Sequence, residues 1–541
     1  MEEKFVFSKH DDIGTVDAEE DSIYLKECFI DTGDIDVILD CSNAKRLLVG
    51  RTGMGKSALI EEISNRASNV IRLSPHSLSL NFIANNKVIE FYESIGVNLS
   101  LFYNLLWKHI LVVELLKNKF NIKDEKSQQN YTRHIQKILY KKDSIKEQAV
   151  DYLENWGNKF WQTTEERMHS LTEKMSSKLE AQASAAVPGF KISGTAAKEL
   201  SSEQKKTIIE HGQKAVSEIQ VRELENIISV LGEDILNDRY ENYYITIDML
   251  DENWVDEKIK LKLILALIDT SKKFKKISSV KIIAALRVDL LNRVIHSLPG
   301  QGNQKEKYED LYLRLSWNEK SLVQLAESRL NYLIKRRYQK TAINFDEIFP
   351  ASVNGVSAFR YILERTFLRP RDLIQFINIC IAHAVDKPKI TSQIIKLAEE
   401  EYSHKRLESL AYEWEEIHPN LRNVAGLFTG MKAHFKVSDI SSDFVQKRYL
   451  ELASEIEDTS SDTLTQQLDK LYTNEGNFNS IRKNIMRILY SVGLIGIKIN
   501  PTSSVQWSYK SRIFLGGGEI KPSSIIHIHP MFFRALDIHD Y

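Results

Sequence analysis

Cysteine is scarce in this chain, which has only Cys28, Cys41 and Cys380 in 541 residues. The three are scattered, with no short pairing and no metal-ligand spacing. This pattern excludes a disulfide-stapled secreted domain and a cysteine-rich zinc module. A reducing compartment, the cytoplasm, is therefore expected.

Long apolar runs are also missing, and glycine and proline are sparse, at 22 and 10 residues. The longest apolar runs, such as "LILALI" at 263–268, are too short to cross a bilayer. The start, "MEEKFVF", is acidic and leads into no apolar targeting segment. We expect neither export nor a membrane partner, and the composition excludes fibrous and disordered chains.

An excess of charge of either sign is absent too, because 73 Lys and Arg balance 74 Asp and Glu. The whole molecule has no field that would attract nucleic acid or anionic lipid, so such a partner would need a local patch. A chain of this length, 43% hydrophobic, is expected to fold into two to four packed units.

The stretch "RLLVGRTGMGKSALIEEI", residues 46–63, holds a glycine-rich loop between an apolar strand and a helix. It matches G-x-x-x-x-G-K-[ST], in which backbone N–H groups surround a phosphate at a helix N-terminus. Lys56 would place a cation on the terminal phosphates, and Ser57 would offer a hydroxyl to Mg²⁺. The predicted nucleotide-binding residues are Gly50, Arg51, Thr52, Gly53, Met54, Gly55, Lys56, Ser57 and Ala58.

A second acidic segment, "YYITIDMLDENW" at 243–254, runs from a strand into three acids. Asp248 is predicted to be the Mg²⁺ partner at the strand end, in the Walker B position. Glu252, with Asp251 as second choice, is predicted to orient the attacking water. The alternative for Asp251 and Glu252 is that they cap the helix predicted at 255–276.

The strand and helix alternation then repeats, because "SVKIIAALR" ends an apolar strand at Arg287. The carboxyl ends of parallel strands share one edge, so Arg287 is expected beside Lys56 and Asp248. Two interpretations stay open for Arg287: it reads the γ-phosphate, or it forms a salt bridge with one of the acids after Asp248.

Helices dominate beyond residue 315. Ser316 and Glu319 have the spacing of a capping box, and Pro370 marks another helix start in "FLRPRDLIQFIN". Arg371 could contact phosphate from this helix, or it could be a surface arginine paired with a nearby acid, Asp372 or Glu364.

Taken together, these motifs resemble those of P-loop ATPases of the AAA+/STAND assemblage, with an extended Walker B similar to NACHT and KAP-type ATPases. The resemblance covers about residues 1–90 and 240–390. It implies ATP and Mg²⁺ as ligands, sensor 1 and sensor 2 roles for Arg287 and Arg371, and an arginine supplied by a neighbouring subunit. Arg293 and Arg314 are the candidates for that last role.

The predicted fold class is α/β: a P-loop NTPase parallel sheet with an inserted helical subdomain, an α-helical lid and a C-terminal winged-helix-like domain. The predicted boundaries are 1–98 and 216–300 for the core, 99–215 for the insertion, 301–400 for the lid and 401–541 for the C-terminal domain. The lysine-rich part of the insertion, 117–146, is either a solvated helix face or a surface that faces nucleic acid or a partner. His527 and His529 lie at i and i+2 but have no third ligand nearby, so a metal is not the favoured interpretation.

The ending "WSY…IHIHPMFFRAL" and the insert "LLWKHILVVELL" also resemble a bacterial group of large P-loop ATPases found in phage-defence and mobile-element neighbourhoods. The resemblance implies an ATP-driven switch that works as a homo-oligomer with a separate effector protein. Two alternatives stay open: a nucleotide-gated scaffold with little turnover, and a DNA-binding motor or loader. Nucleic acid therefore stays a candidate partner.

Overall fold

The computed structural model describes residues 5–78, 83, 86–121, 164–188, 190–192, 200–218, 228–236, 240–296, 306–338, 344–452, 462–473, 475–510, 515–516 and 518–539. The chain divides into two compact units. We call residues 33–51 and 56–315 the sheet unit, and residues 1–32, 52–55 and 316–541 the helical unit. Each unit has its own apolar core.

The strands lie in three sheets. In chain order they are β1 (Leu47–Gly50), β2 (Asn69–Leu73), β3 (Tyr243–Ile247), β4 (Val280–Arg287), β5 (Tyr312–Arg314), β6 (Ser352–Val353), β7 (Val356–Ser357), β8 (His434–Lys436), β9 (Ile495–Lys498) and β10 (Ile525–Ile528).

The α-helices connect and cover these sheets. In chain order they are α1 (Ser22–Cys28), α2 (Asp34–Leu39), α3 (Lys56–Arg66), α4 (Lys87–Ser94), α5 (Ser100–Phe120), α6 (Thr164–Ala186), α7 (Ser202–Glu218), α8 (Glu257–Phe274), α9 (Val288–His296), α10 (Glu306–Glu309), α11 (Glu319–Tyr338), α12 (Phe345–Ile348), α13 (Ala358–Glu364), α14 (Pro370–Ala382), α15 (Ser392–Trp414), α16 (Leu421–Gly426), α17 (Ser442–Leu452), α18 (Thr463–Tyr472) and α19 (Phe478–Val492).

The sheet unit is built on five parallel strands in the order β2-β3-β4-β1-β5. Its central strands are buried along nearly their whole length, as expected when helices cover both faces of a parallel sheet. The predicted α/β class with a parallel sheet is confirmed. Gly50 pairs with Arg287 and Ile247 pairs with Ala284, so β1, β3 and β4 end near one edge.

Helix α5 shows how the apolar insert contributes to this core. It packs on α8, and the Trp107 indole donates to the Leu263 carbonyl at 2.8 Å. The described parts of 99–215 are mainly helical. Residues 122–146 lie outside the described residues, and with them most of the lysine-rich segment.

The helical unit contains α11 to α15 and, further along the chain, a three-stranded antiparallel sheet in the order β8-β10-β9. Helices α17, α18 and α19 lie between β8 and β9 in sequence, and α18 packs on α19. The boundary predicted at residue 400 falls inside the continuous helix α15.

Two local predictions differ from the structure. Helix α11 begins at Glu319, but Asn318 caps it, since its side chain accepts from the Ser321 amide at 2.9 Å; the Ser316 capping box is therefore wrong. Strand β5 pairs in parallel with β1 although its three residues were not predicted as a strand. No helix in the described part of the chain has the length and apolarity needed to cross a lipid bilayer.

Candidate functional site

The glycine-rich loop, residues 50–57, connects β1 to α3. Gly53 and Gly55 have φ values of +78° and +91°, a region that residues with a side chain rarely adopt. A Cβ at Gly53 would also lie 2.7 Å from the Cβ of Arg371. Glycine is therefore required at position 53 both by the backbone conformation and by the lack of space for a side chain. Ser57 and Ala58 lie in the first turn of α3.

Three consecutive carbonyl groups of the loop accept hydrogen bonds from donors elsewhere in the helical unit. The pairs are Arg369 Nη1 to Thr52 O at 2.5 Å, the Arg371 amide to Gly53 O at 3.4 Å, and Trp317 Nε1 to Met54 O at 3.0 Å. Within the described residues, the amides of 52–55 donate to no protein group. The loop is thus held by its carbonyls, and its N–H groups are left for another acceptor.

Lys56 is the first residue of α3. Its ammonium group donates to the carbonyls of Gly50 and Arg51, both at 3.3 Å. Burial lowers the pKa of Lys56, and the nearby carboxylates of Asp251 and Asp248 oppose that shift. No carboxylate of the described residues lies within ion-pair distance of Lys56, so its charge is compensated by two main-chain carbonyls and, from a greater distance, by Asp251 and Asp248.

Asp248 is the first residue after β3. Its carboxylate accepts from the Met249 amide at 2.9 Å, and its own amide donates to Leu73 O at 3.2 Å. Met249 has φ +62°, an uncommon value for a residue with a side chain. This strained turn places Asp248 at the carboxyl edge, the position predicted for the Mg²⁺ partner.

Arg287 ends β4 and forms a fork with Asp289, with Nε and Nη2 donating to its carboxylate at 3.0 and 3.1 Å. Asp251 Oδ2 lies 3.9 Å from the same Nε. The salt-bridge interpretation of Arg287 is therefore present in the structure. Its main partner, however, is Asp289, which the sequence analysis did not name.

Glu252 lies on the surface, with its side chain 48% exposed, and His76 Nε2 lies 3.0 Å from its carboxylate. His76 follows β2, so strands β2 and β3 bring the two residues together. Helix α8 begins only at Glu257, after the 249–254 turn, and its N-cap is Asp256. The proposal that Asp251 and Glu252 cap this helix is therefore wrong.

Arg371 lies in the helical unit at the second position of α14, and burial lowers its pKa. Its Nε donates to the Val16 carbonyl at 3.3 Å, and no ion pair to Asp372 or Glu364 is present among the described residues. The surface-pair interpretation is therefore wrong for Arg371. Its sensor role stays a prediction.

The neighbouring Arg369 is instead the centre of a buried ion network. Its Nε donates to Asp372 at 2.8 Å and its Nη2 to Glu413 at 3.1 Å, and Arg406 lies 3.5 Å from both acids. Arg369 and Asp372 are 1% and 0% exposed. Burial opposes the charge of Arg369, but Asp372 and Glu413 raise its pKa above the ordinary value. This network fixes the guanidinium that holds Thr52.

The two arginines proposed to act in a neighbouring subunit are paired within their own chain. Arg293 Nη1 lies 2.5 Å from Glu257, and Arg314 Nη2 lies 3.1 Å from Glu309. Arg314 is half exposed, whereas Arg293 is less so. Releasing Arg314 from its exposed pair would cost less, since such pairs contribute about 0–1 kcal/mol.

His527 and His529 do not share a site. The His527 ring stacks on His434 at 5.6 Å, whereas His529 is fully buried and lies 3.0 Å from the Tyr509 hydroxyl. The described residues contain no cluster of three or more His, Cys, Asp or Glu side chains that could hold a metal.

We expect buried His529 to make stability depend on pH. Burial keeps the folded-state pKa of His529 well below its ordinary value of 6.5, so only the unfolded chain takes up this proton below pH 6.5. Its contribution is therefore complete above pH 6.5 and falls by up to about 1.4 kcal/mol per pH unit below it. Urea unfolding between pH 5.5 and 7.5 measures the slope, and His529→Asn should reduce it; equal slopes would contradict the assignment.

Several site residues were missed from the sequence. Trp317, Arg369 and His76 reach their partners through the tertiary fold, and no motif marks them. Two signals were available in the sequence: Asp289 lies two residues after Arg287, and two arginines flank Pro370, of which Arg371 alone was assigned a role.

Comparisons with known proteins find one family model and two related proteins that are similar to this chain. Residues 320–411, which include α13, α14 and most of α15, match the FunZ-associated C-terminal helical domain. Over 98% of its length the chain is 22% identical to a protein of Escherichia coli (strain K12) named as a transposon gamma-delta 80.3 kDa protein, covering 68% of that protein. It is also 25% identical to the allergen Alt a 2 of Alternaria alternata, over 24% of this chain and 69% of the allergen.

Proposed function

We propose that this chain is an ATPase that binds ATP with Mg²⁺ and uses its hydrolysis as a switch. The observation that carries the proposal is the environment of Lys56. Its ammonium group follows a loop in which the amides of 52–55 donate to no group of the described residues, and no described carboxylate lies within ion-pair distance of it. A triphosphate supplies the negative charge and the acceptors that both groups need.

The residues around Lys56 fit the metal as well as the phosphate. Ser57 and Asp248 offer hard oxygen atoms, and Mg²⁺ bound with a nucleotide takes its remaining ligands from phosphates and water. Two protein oxygens therefore suffice. When bound, Mg²⁺ would neutralise charge on the phosphates.

The remaining residues have separate tasks in this proposal. Glu252 orients the attacking water, and His76 holds its carboxylate at 3.0 Å. Arg287, held by Asp289 and near Asp251, senses the phosphate from the end of β4. Arg371 would report nucleotide from the helical unit. The corresponding fold is a P-loop NTPase with a C-terminal winged-helix-like domain.

We further propose that the switch works as an oligomer with a separate effector, in the setting of mobile DNA or phage defence. The similarity to a protein named for a transposon supports the mobile-DNA setting. Molar mass in solution, measured with and without ATP and Mg²⁺, tests assembly: a nucleotide-dependent increase is expected. An unchanged monomer would contradict it.

Glu252→Gln tests the hydrolytic step. Because glutamine keeps the shape but cannot accept a proton, turnover should fall about a hundredfold while ATP affinity stays within about threefold. Phosphate release and nucleotide binding are measured on the same protein. Asp251→Asn is the matched comparison, since it removes a neighbouring acid on the same turn.

Three outcomes separate the possibilities. Hydrolysis by the Glu252 variant at the parental rate makes the base assignment wrong, and a loss confined to Asp251→Asn moves the role to Asp251. Binding of ATP without steady phosphate release by the parent protein would instead identify a nucleotide-gated scaffold.

A further inference from the structure

The stretch from Gly476 to Gly518 contains no Asp or Glu but six Lys or Arg. Elsewhere acids are frequent, since the chain has 74 in 541 residues, and 43 average residues would hold about six. This stretch covers α19, β9 and the segment that leads towards β10. Arg482 is buried and Arg512 lies outside the described residues, which leaves Lys483, Arg487, Lys498 and Lys510 at least partly exposed. These four cations are the candidate for the local basic patch that a chain of balanced charge would need to bind a polyanion.

Helix α19 presents the polar part of this patch on one face. Its opposite face is buried through apolar residues that include Ile485 and Leu489. The outward face carries amide, hydroxyl and cationic side chains at helical spacing: Asn479, Ser480, Lys483, Asn484 and Arg487. All are exposed except Lys483, which is partly exposed.

The surrounding structure fixes this face. Asn477 caps α19 by accepting from the Ser480 amide at 3.1 Å, and buried Arg482 donates to Ile440 O at 3.0 Å. Arg487 Nε donates to Leu515 O at 3.0 Å, which anchors the segment after β9 beside the helix. The terminal guanidinium nitrogens of Arg487 make no hydrogen bond within the described residues.

Helix α18 packs on α19, five residues separate the two helices in sequence, and the three-stranded sheet adjoins the pair through β9. Two consecutive packed helices with a short connection are the elements of a helix-turn-helix. In this motif the second helix enters the DNA major groove and its first turns contact base edges. Asn side chains suit adenine, Arg and Lys suit guanine or phosphate, and Ser suits either.

We propose that the outward face of α19 binds double-stranded DNA in the major groove. DNA fits better than a small anion because the five side chains form a stripe and do not converge on a point. A duplex RNA has a major groove too narrow for this helix. The acids that flank the stretch are Glu475 and Glu519, and the Glu519 carboxylate accepts from the Gly516 amide at 2.5 Å. This inference is independent of the ATPase proposal.

Fluorescence anisotropy with the full chain and a labelled random 30-base-pair DNA duplex, in the absence of nucleotide, tests the proposal. We expect binding at about 50 mM salt that weakens steeply towards about 200 mM. Lys483→Ala should weaken binding about threefold to tenfold and lower the slope of log K against log salt by about one.

Asn484→Asp provides the sharper test, because it adds a carboxylate to the centre of the face. Gln393→Glu is the matched control, since it makes the same change of charge on an exposed position of α15 in the same unit. We expect a loss of more than tenfold for Asn484→Asp and less than twofold for Gln393→Glu. Circular dichroism and thermal unfolding verify that both variants fold.

Three results would overturn the proposal. These are absence of DNA binding at about 50 mM salt, equal losses for the two acidic variants, and stronger binding to duplex RNA of the same sequence than to DNA. Because nucleotide is absent throughout, each result leaves the ATPase proposal untouched.

Discussion

Lys56→Ala will abolish ATP binding at nucleotide concentrations that saturate the parent protein. The ammonium group of Lys56 is partly buried, and carbonyl oxygens are its hydrogen-bond partners in the described structure. Removing a charge that pairs with phosphate in such a site costs about 2–5 kcal/mol, which is at least thirtyfold in affinity. Titration calorimetry with ATP and Mg²⁺ measures the loss.

Two control proteins make this result specific. Lys87→Ala removes an exposed lysine of the same unit, at the start of α4, and should bind ATP as the parent does. Lys56→Arg keeps the charge but changes its shape, so it should bind more weakly than the parent and more tightly than Lys56→Ala. Equal affinity of the parent and Lys56→Ala would contradict a nucleotide site at this loop, whatever the turnover.

Lys56→Ala should not destabilise the nucleotide-free protein, although it abolishes ATP binding. Burial lowers the pKa of Lys56, which means that the fold disfavours its charged form. Removing the side chain therefore costs little, and the empty variant should unfold at or slightly above the parental midpoint. Loss of binding without loss of stability would show that Lys56 is present for a ligand rather than for the fold.

The sequence predicted those parts of the site whose chemistry depends on neighbours along the chain. The glycine-rich loop requires positive φ at Gly53 and Gly55, and Asp248 directly follows an apolar strand. Both signals are local, so they are readable in a single stretch. The parallel sheet was equally readable, because "VKIIAALR" is apolar throughout, as a strand covered on both faces must be.

Most of the parts that were missed depend on contacts distant in sequence. His76 reaches Glu252 through the pairing of β2 with β3, whereas Asp289 is the exception, since it lies two residues after Arg287 in the first turn of α9. Arg369 holds a loop 317 residues away in sequence. Strand β5 has three residues, which is too short to show a periodic pattern in the sequence. It forms because it pairs with β1 at the edge of the sheet.

Arg369→Met is expected to destabilise the fold strongly. It leaves the buried carboxylates of Asp372 and Glu413 with a more distant arginine, Arg406, at 3.5 Å from each, while Asp372 keeps its hydrogen bond from the Phe367 amide. Breaking a buried ion pair in this way costs about 3–5 kcal/mol. Thermal and urea unfolding of the full chain, followed by tryptophan fluorescence, should show the transition of the helical unit shifted by that amount.

Arg360→Ala is the matched control. It removes an arginine of the same unit from an exposed pair with Glu364, at 3.0 Å, and should change stability by less than about 0.5 kcal/mol. Comparable effects of the two substitutions would mean that the buried network contributes no more than a surface pair.

Arg369→Met also tests whether the buried ion network positions the glycine-rich loop for nucleotide binding. Arg369 Nη1 donates to Thr52 O, so Arg369→Met removes one of the three donors that hold the loop carbonyls. If the held loop is the form that binds nucleotide, ATP affinity at a temperature where the variant is fully folded should fall about tenfold, since a hydrogen bond from a charged group contributes about 1.5–3 kcal/mol. Trp317→Phe removes the donor to Met54 without disturbing the ion network, so it should reduce affinity with little loss of stability. Unchanged affinity in both variants would confine Arg369 and Trp317 to a structural role.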